Sequence, residues 1–388
     1  MSIAFINAQF GGRLGSLRVR DGLIAAIDAD PEPGDAVLDL RGDRLLPGLI
    51  NSHDHLQLNN LPEHETPGLY RHVRDWIAEI DARRRTDPQF EAGICVARDE
   101  RLLFGGIKNL LSGVTTVAHH DPLYPFLTRP GYPISVLRNY GWSHSLYIDG
   151  DQSVVGSYRA TPSDWPWIVH AAEGRNEEAA DEFERLDALG CLKPNSVLVH
   201  GIALDQRQRA RLKACGSALI WCPSSNMRLF GRTAEVTDLV SAARVALGTD
   251  SRLSGARDLL DELQLAARLG GFDDGCLEGL VTHVSAALLR LADRGALRPG
   301  LRADLLVLPA ETRLRDACRS KVRLVMIGGI ARYGDAECVL RASTDTGWTR
   351  VLVDGAPKLL HADLSDLLAS TSTREPGLEL PRVTGRAA

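Results

Sequence analysis

Four short apolar stretches of this chain each run into residues able to bind a metal ion. Trp167-Ile-Val-His ends at His170, Val197-Leu-Val-His at His200 and Ala246-Leu-Gly-Thr-Asp at Asp250. The stretch through Pro47-Gly48 leads into Asn51-Ser-His-Asp-His, which carries His53 and His55. Runs this short and this apolar read as strands buried on both faces, as in a parallel sheet. Amphipathic helical patterns lie between them, over 101–111, 177–189, 257–269 and 277–291. The second of these is opened by Asn176 as an N-cap, has acids in its first turn and stops at Gly190. Strand-then-helix order implies a parallel sheet, open or closed into a barrel, with functional residues at the C-terminal strand ends.

His53 and His55 are two apart on a strand, so both imidazoles point the same way and make half of a tetrahedral zinc site. An isolated His-x-His is more often a solvated loop, and a lone buried histidine is more often a satisfied core group. Five such residues at the ends of four strands are better explained by one shared metal site.

The ends of the chain differ from its middle. Residues 16–19, 23–27 and 36–40 are β-rich and separated by the turn dipeptides Asp21-Gly22 and Pro33-Gly34. The β-rich pattern returns after Pro299-Gly300, over 303–308, 322–328 and 350–353. A chain of 388 residues exceeds what one core usually holds, about 250–300. The expected organisation is therefore a composite β-sandwich from 1–48 and 296–370, an α/β unit over 49–295, and a flexible tail over 371–388.

A net charge of −5 without a basic stripe gives a nucleic acid or an anionic membrane no electrostatic footing. The seven cysteines are scattered, odd in number and without a C-x-x-C pair, which argues against a disulfide framework and a thiolate zinc site. With no cationic leader and no apolar run near 18 residues, the expected location is cytoplasmic.

The chain resembles the amidohydrolase superfamily, in the branch of guanine, cytosine and S-adenosylhomocysteine deaminases, imidazolonepropionase and triazine chlorohydrolases. The resemblance rests on Leu46-Pro-Gly-Leu-Ile-Asn-Ser-His-Asp-His55, Gly113-Val-Thr-Thr-Val117, His170-Ala-Ala-Glu173, His200-Gly, Cys222-Pro-Ser-Ser-Asn226, Leu247-Gly-Thr-Asp-Ser251 and the stretch from Leu297 to Leu308, in the family's order. It implies a (β/α)₈ barrel, distorted around strands 3 and 4, because 134–167 has little room for a full β/α unit. It implies His53, His55, His170 and Asp250 as ligands of one zinc ion, with iron(II) or manganese(II) as alternatives. No lysine ends a candidate fourth strand, so no carbamylated bridge to a second ion is expected. By the same resemblance Glu173 moves the proton, His200 touches substrate or water, and a homodimer is compatible.

Several deaminases of the branch carry a substrate-binding Gln where this chain has Leu58. Gln57, Asn59, His119, Trp142 and Arg252 are the candidate substrate contacts here, while Asn226 reads as structural. In His119-His120-Asp121 one histidine is expected to face the pocket and the other to cap the loop. The expected function is hydrolytic deamination of a small N-heterocycle. Ring opening of a cyclic amide and dechlorination are the alternatives, and a scaffold without catalysis is disfavoured by the acid at Glu173.

Overall fold

The computed structural model describes residues 2–61, 63, 66, 68–372 and 374–381. Its centre consists of eight strands: β1 (Leu49–Asp54), β2 (Val114–His119), β3 (Ser135–Val136), β4 (Gly141–Ser145), β5 (Trp167–Ala171), β6 (Ser196–His200), β7 (Ala218–Trp221) and β8 (Val245–Leu247). Every ladder among them is parallel. One sheet has the order β1-β2-β3 and the other β4-β5-β6-β7-β8. Strands β5 to β8 are buried at every position, which is why their sequences are apolar without alternation.

The two sheets meet where β1 runs beside β8. The carbonyl of His53 accepts from the amides of Thr249 and Asp250 at 2.9 and 3.1 Å, and the His55 amide donates to the Asp250 carbonyl at 3.0 Å. Gly248 allows this approach, because a Cβ there would lie 2.6 Å from the Cβ of His53. Among the described residues no ladder joins β3 to β4, and the four residues between them hold no helix. The set is interrupted where the sequence left least room.

Helices α1 (Val73–Thr86) and α2 (Pro88–Cys95) lie in the long excursion after β1, and α3 (Arg98–Leu111) returns the chain to β2. Helix α4 (Leu146–Ala160) follows β4 and breaks its helical path at Gly150, with φ 73° and ψ 159°. Helix α5 (Glu177–Ala188) is capped as expected, the Asn176 side chain accepting from the Ala179 amide at 3.1 Å. The pattern over 277–291 splits into Asp274–Leu280 and His283–Leu288, because the Val281 carbonyl is taken by the Ile50 amide of β1 at 2.7 Å. A long-range strand contact here outweighs local helical propensity.

Both ends of the chain enter one 11-stranded sheet. They are joined where Arg44–Pro47 pairs antiparallel with Leu305–Leu308, Leu45 facing Val307 and Leu46 facing Leu306. The sequence expectation of a flexible tail over 371–388 is corrected for its first part. Leu378–Glu379 pairs with Trp348–Val353, and Glu375 is buried between Arg252 and Arg319. Residues 382–388 lie outside the described residues. All seven cysteines are free thiols. Among the described residues no helix is long and apolar enough to cross a membrane.

Candidate metal centre and active-site pocket

The ends of β1, β5 and β8 bring four donor atoms together. His170 Nε2 lies 3.2 Å from His53 Nε2 and 3.4 Å from His55 Nε2. Asp250 Oδ1 lies 3.7 Å from each of the latter two. An ion with four bonds of about 2.0–2.1 Å sets its ligands about 3.3–3.4 Å apart, and these four separations, 3.2–3.7 Å, lie near that value. The donor set of three imidazoles and one carboxylate suits zinc and is also open to iron(II) and manganese(II).

Protonation supports the fit. Desolvation lowers the pKa of His53, His55 and His170, leaving neutral rings whose lone pairs are available. Neighbouring groups fix which nitrogen is bare. His170 Nδ1–H donates to the His144 carbonyl at 2.8 Å, which leaves Nε2 for the cluster. His120 Nε2–H donates to the Ser143 carbonyl at 2.9 Å, so His120 Nδ1 accepts, and its partner at 3.3 Å is His53 Nδ1–H. His53 Nε2 is thereby left free to face the centre. Asp250 is oriented likewise: its Oδ2 accepts from Ser225 Oγ and Ser254 Oγ, both at 2.7 Å, and Oδ1 remains.

His200 Nδ1–H donates to Asn226 Oδ1 at 2.9 Å, and its Nε2 lies 3.5 Å from Glu173 Oε1. Burial lowers His200 to about 4, so the ring is neutral and Nε2 accepts. Burial, then the charges of Asp250 and Glu182, raise Glu173 well above the usual carboxylate range, which favours its protonated form. Three non-glycine residues at these strand ends take left-handed backbone: Ala172 (φ 54°), His200 (φ 74°) and Asp250 (φ 58°). Such strain gathers where side chains must be aimed.

A buried polar network stands behind the donors. Lys108 Nζ donates to Asp54 Oδ2 at 3.1 Å, Asn59 Oδ1 at 2.7 Å and Thr249 Oγ1 at 3.3 Å. Asn51 Nδ2 donates to Asn109 Oδ1 and Thr249 Oγ1, both at 2.9 Å. Lys108 and Asp54 are wholly excluded from solvent.

A cavity of about 330 Å³ opens beside the donors. Its lining includes Gln57 and Trp142, two of the five candidate substrate contacts. The other three are corrections. Asn59 is spent in the network, its amide donating to Asp54 Oδ1 at 2.8 Å while its oxygen also accepts from the Arg252 amide at 3.0 Å. Arg252 turns from the cavity because the buried Glu375 captures its guanidinium at 2.8 and 3.1 Å. His119 is buried against the Asp54 carbonyl, and it is His120 that lines the cavity.

Sequence reasoning also missed Lys108, His144 and the α1 residues Val73, Trp76 and Ile77, and it left Asp121 of His119-His120-Asp121 without a role. Of the missed residues only Lys108 left a signal: with Phe104, Ile107 and Leu111 it falls on the buried stripe of α3.

Known proteins share sequence and fold with this chain. A family described as "Amidohydrolase family" matches residues 164–331. A 5-methylthioadenosine/S-adenosylhomocysteine deaminase of Natronomonas pharaonis is 27% identical over 370 residues, covering 79% of this chain and 85% of that protein. An 8-oxoguanine deaminase of Pseudomonas aeruginosa is 25% identical over 383 residues, covering 78% and 83%. In structure, an adenosine deaminase from Xanthomonas campestris with bound zinc superposes with a TM-score of 0.70 at 19% identity, covering 95% of this chain and 96% of the other. A mutant atrazine chlorohydrolase from Arthrobacter aurescens, complexed with zinc and atraton, gives a TM-score of 0.66 at 17% identity, covering 84% and 93%. The sequence matches run through the strand ends that carry His170, Glu173, His200 and Asp250, and over this stretch the chain is similar to the amidohydrolase family.

Proposed function

We propose that this chain deaminates a small N-heterocycle by hydrolysis, using one divalent ion, zinc first, held by His53, His55, His170 and Asp250. One observation carries the reading: four donors with neighbouring separations of 3.2–3.7 Å stand beside Glu173, a buried acid whose protonated form burial favours. The deaminase names of the sequence relatives support it. We read the eight strands as a (β/α)₈ barrel over 49–295, interrupted between β3 and β4. The sheet formed by 1–48 and 296–370 is read as folding over one apolar core into a sandwich.

A bound zinc ion supplies Lewis acidity and brings the pKa of a water toward about 7. Asp250 accepts a hydrogen bond from the attacking water and aims it at the ring carbon bearing the amine. His200 Nε2 accepts a second hydrogen bond at the same place, its other nitrogen being committed to Asn226. Glu173 gives its proton to the departing nitrogen, which leaves as ammonia, and regains one from the water whose oxygen joins the ring carbon, a transfer commonly worth ~10²–10⁴ in rate. Trp142 and the α1 residues Val73, Trp76 and Ile77 keep the reacting ring from bulk water.

The test is elemental analysis of protein purified without added metal, followed by ammonia-release assays over heterocyclic amines. About one ion per chain and ammonia from one class is the expected result. Glu173→Gln should retain the metal and lose at least ~10²-fold in turnover. Full turnover in that variant would remove the acid from the mechanism. Chloride release from chlorotriazines without ammonia from any amine would favour dechlorination, the activity named for the Arthrobacter neighbour.

A further inference from the structure

A second cavity, of about 710 Å³, lies away from the candidate metal centre. It takes in Trp165, just before β5 begins, whereas His170 stands where β5 ends, and it shares no lining residue with the cavity at the donors. Its origin is the gap between β3 and β4. Four residues, 137–140, join these strands where strand-then-helix order would place a helix, and Leu137, Arg138 and Asn139 form part of the wall instead.

The wall is cationic in a chain whose net charge is −5. Among the described residues five arginines line it, Arg129, Arg138, Arg290, Arg294 and Arg302, with no lysine and two acids, Asp164 and Asp293. Two of the five are held by acids. Arg294 donates twice to Asp293 at 2.8 Å and lies 3.5 Å from Asp304, and Arg302 reaches Asp304 at 3.3 and 3.4 Å. Arg129, Arg138 and Arg290 have no acidic partner among the described residues, and only Asp164 stands against these three. All three are exposed, so one alone would hold an anion weakly; a concave wall that gathers them gives phosphate a footing.

Two of these arginines are set in place by their surroundings. The helix His283–Leu288 closes in a Schellman turn, the Leu291 amide donating to the Ala286 carbonyl at 2.8 Å and the Arg290 amide to that of Ala287 at 3.3 Å. The left-handed position of such a turn usually holds glycine, because a side chain is disfavoured there, yet here it holds Arg290, with φ 58°. One Arg290 nitrogen donates to the Pro194 carbonyl, which fixes the guanidinium and leaves its other N–H groups without a partner among the described residues. Arg129 rests on the Phe126 ring, its guanidinium carbon 5.3 Å from the centroid.

The half-buried Trp165 adds an aromatic wall. Its loop is tied down, the Trp165 amide donating to the Pro162 carbonyl at 3.0 Å and its own carbonyl accepting from Asn195 at 3.2 Å. Guanidinium groups recognise phosphate oxygens in pairs, and an indole stacks a heterocyclic base. A volume of about 710 Å³ lies within the ~300–1,000 Å³ usual for ligand pockets and exceeds what a lone phosphate fills.

We propose that this cavity is a nucleotide-binding site, separate from the catalytic pocket, that takes the phosphates on Arg129, Arg138 and Arg290 and the base against Trp165. Such binding does not depend on which reaction the metal centre performs.

The experiment is calorimetric titration of the full-length, zinc-loaded protein with ADP and with pyrophosphate at low salt. One ADP per chain should bind, and pyrophosphate about 10-fold more weakly, because it has no base to stack. Raising the salt to about 0.5 M should weaken both. Arg138→Gln/Arg290→Gln changes two exposed side chains outside the catalytic pocket. Its ADP affinity should fall at least ~10-fold while zinc content and thermal unfolding stay unchanged. Trp165→Leu should bring ADP down to the level of pyrophosphate. Equal ADP affinity in the wild type and the double arginine variant would overturn the proposal, because the anion would then sit elsewhere, as on the metal ion. No saturable ADP binding, or pyrophosphate binding as tightly as ADP, would overturn it as well. Should a variant fail to fold, photolabelling of the wild type with 8-azido-ADP decides: label on the peptide that contains Trp165 supports the site, and label confined to other peptides defeats it.

Discussion

Strands β5–β8 and strands β1–β3 deliver side chains to the same centre, but they hold them by different means. The ladders β5–β6, β6–β7 and β7–β8 run without register shifts. Their functional residues stand at or just beyond the strand end, where single left-handed residues at Ala172, His200 and Asp250 turn the chain. In this half the backbone does the placing. The β1–β2 ladder shifts register twice, at Leu49/Ile50 and again between Asn51 and Asp54, and β3 is only two residues long. Here side chains take over, with Lys108, Asn109, Asn51 and Asn59 gathered around Asp54, and His120 behind His53. The contrast teaches that one candidate metal site can rest half on sheet geometry and half on a buried polar network.

Removing a cation from that network should have the largest effect. Lys108→Met leaves Asp54 buried and unpaired, and urea denaturation should show a loss of about 3–5 kcal/mol. The double variant Lys108→Met/Asp54→Leu should recover much of this, because the stranded charge is gone. Equal losses in the single and double variants would mean that Lys108 contributes mainly by packing.

A smaller effect is expected at the support of His53. His120→Phe keeps a flat ring but removes the acceptor that fixes the His53 tautomer. Zinc affinity from chelator competition should fall about 10- to 100-fold, the usual consequence of losing a partner behind a ligand. Unchanged affinity would show that the β1–β8 backbone contacts alone aim His53.

A pH-dependent effect belongs to the regular half. Glu262 is fully buried and takes hydrogen bonds from the Ser224 amide and hydroxyl beyond β7. Burial pushes it from an ordinary 4.5 up to about 8. The folded state keeps this proton while the unfolded chain has already lost it. Wild-type stability should therefore fall as pH rises from about 4.5 to about 8, by up to ~1.4 kcal/mol per unit. Glu262→Gln should flatten that slope in pH-dependent unfolding, and an unaltered slope would place the titration elsewhere.

How much could be read in advance follows the same division. His170, His200 and Asp250 were legible because an apolar run ending in one polar residue is a local pattern that a parallel strand requires. His53 and His55 were legible because a spacing of two on a strand fixes a shared direction. The supports of β1–β3 were not. Asn51 and Thr249 are 198 residues apart, and Lys108 and Asp54 are 54 apart. Asn59 and Arg252 were candidates for the pocket because their positions lie close to ligands, yet both are consumed by partners far along the chain.

The sequence by itself determined the order of strands and helices, the meeting of both ends in β structure and the residues that line the strand ends. These follow from periodicity and local chemistry, which act over a few residues. Only the tertiary structure decided that His120 rather than His119 faces the site and that Glu375 withdraws Arg252. Those outcomes depend on which buried polar groups find partners. That competition is settled by groups brought together across the fold.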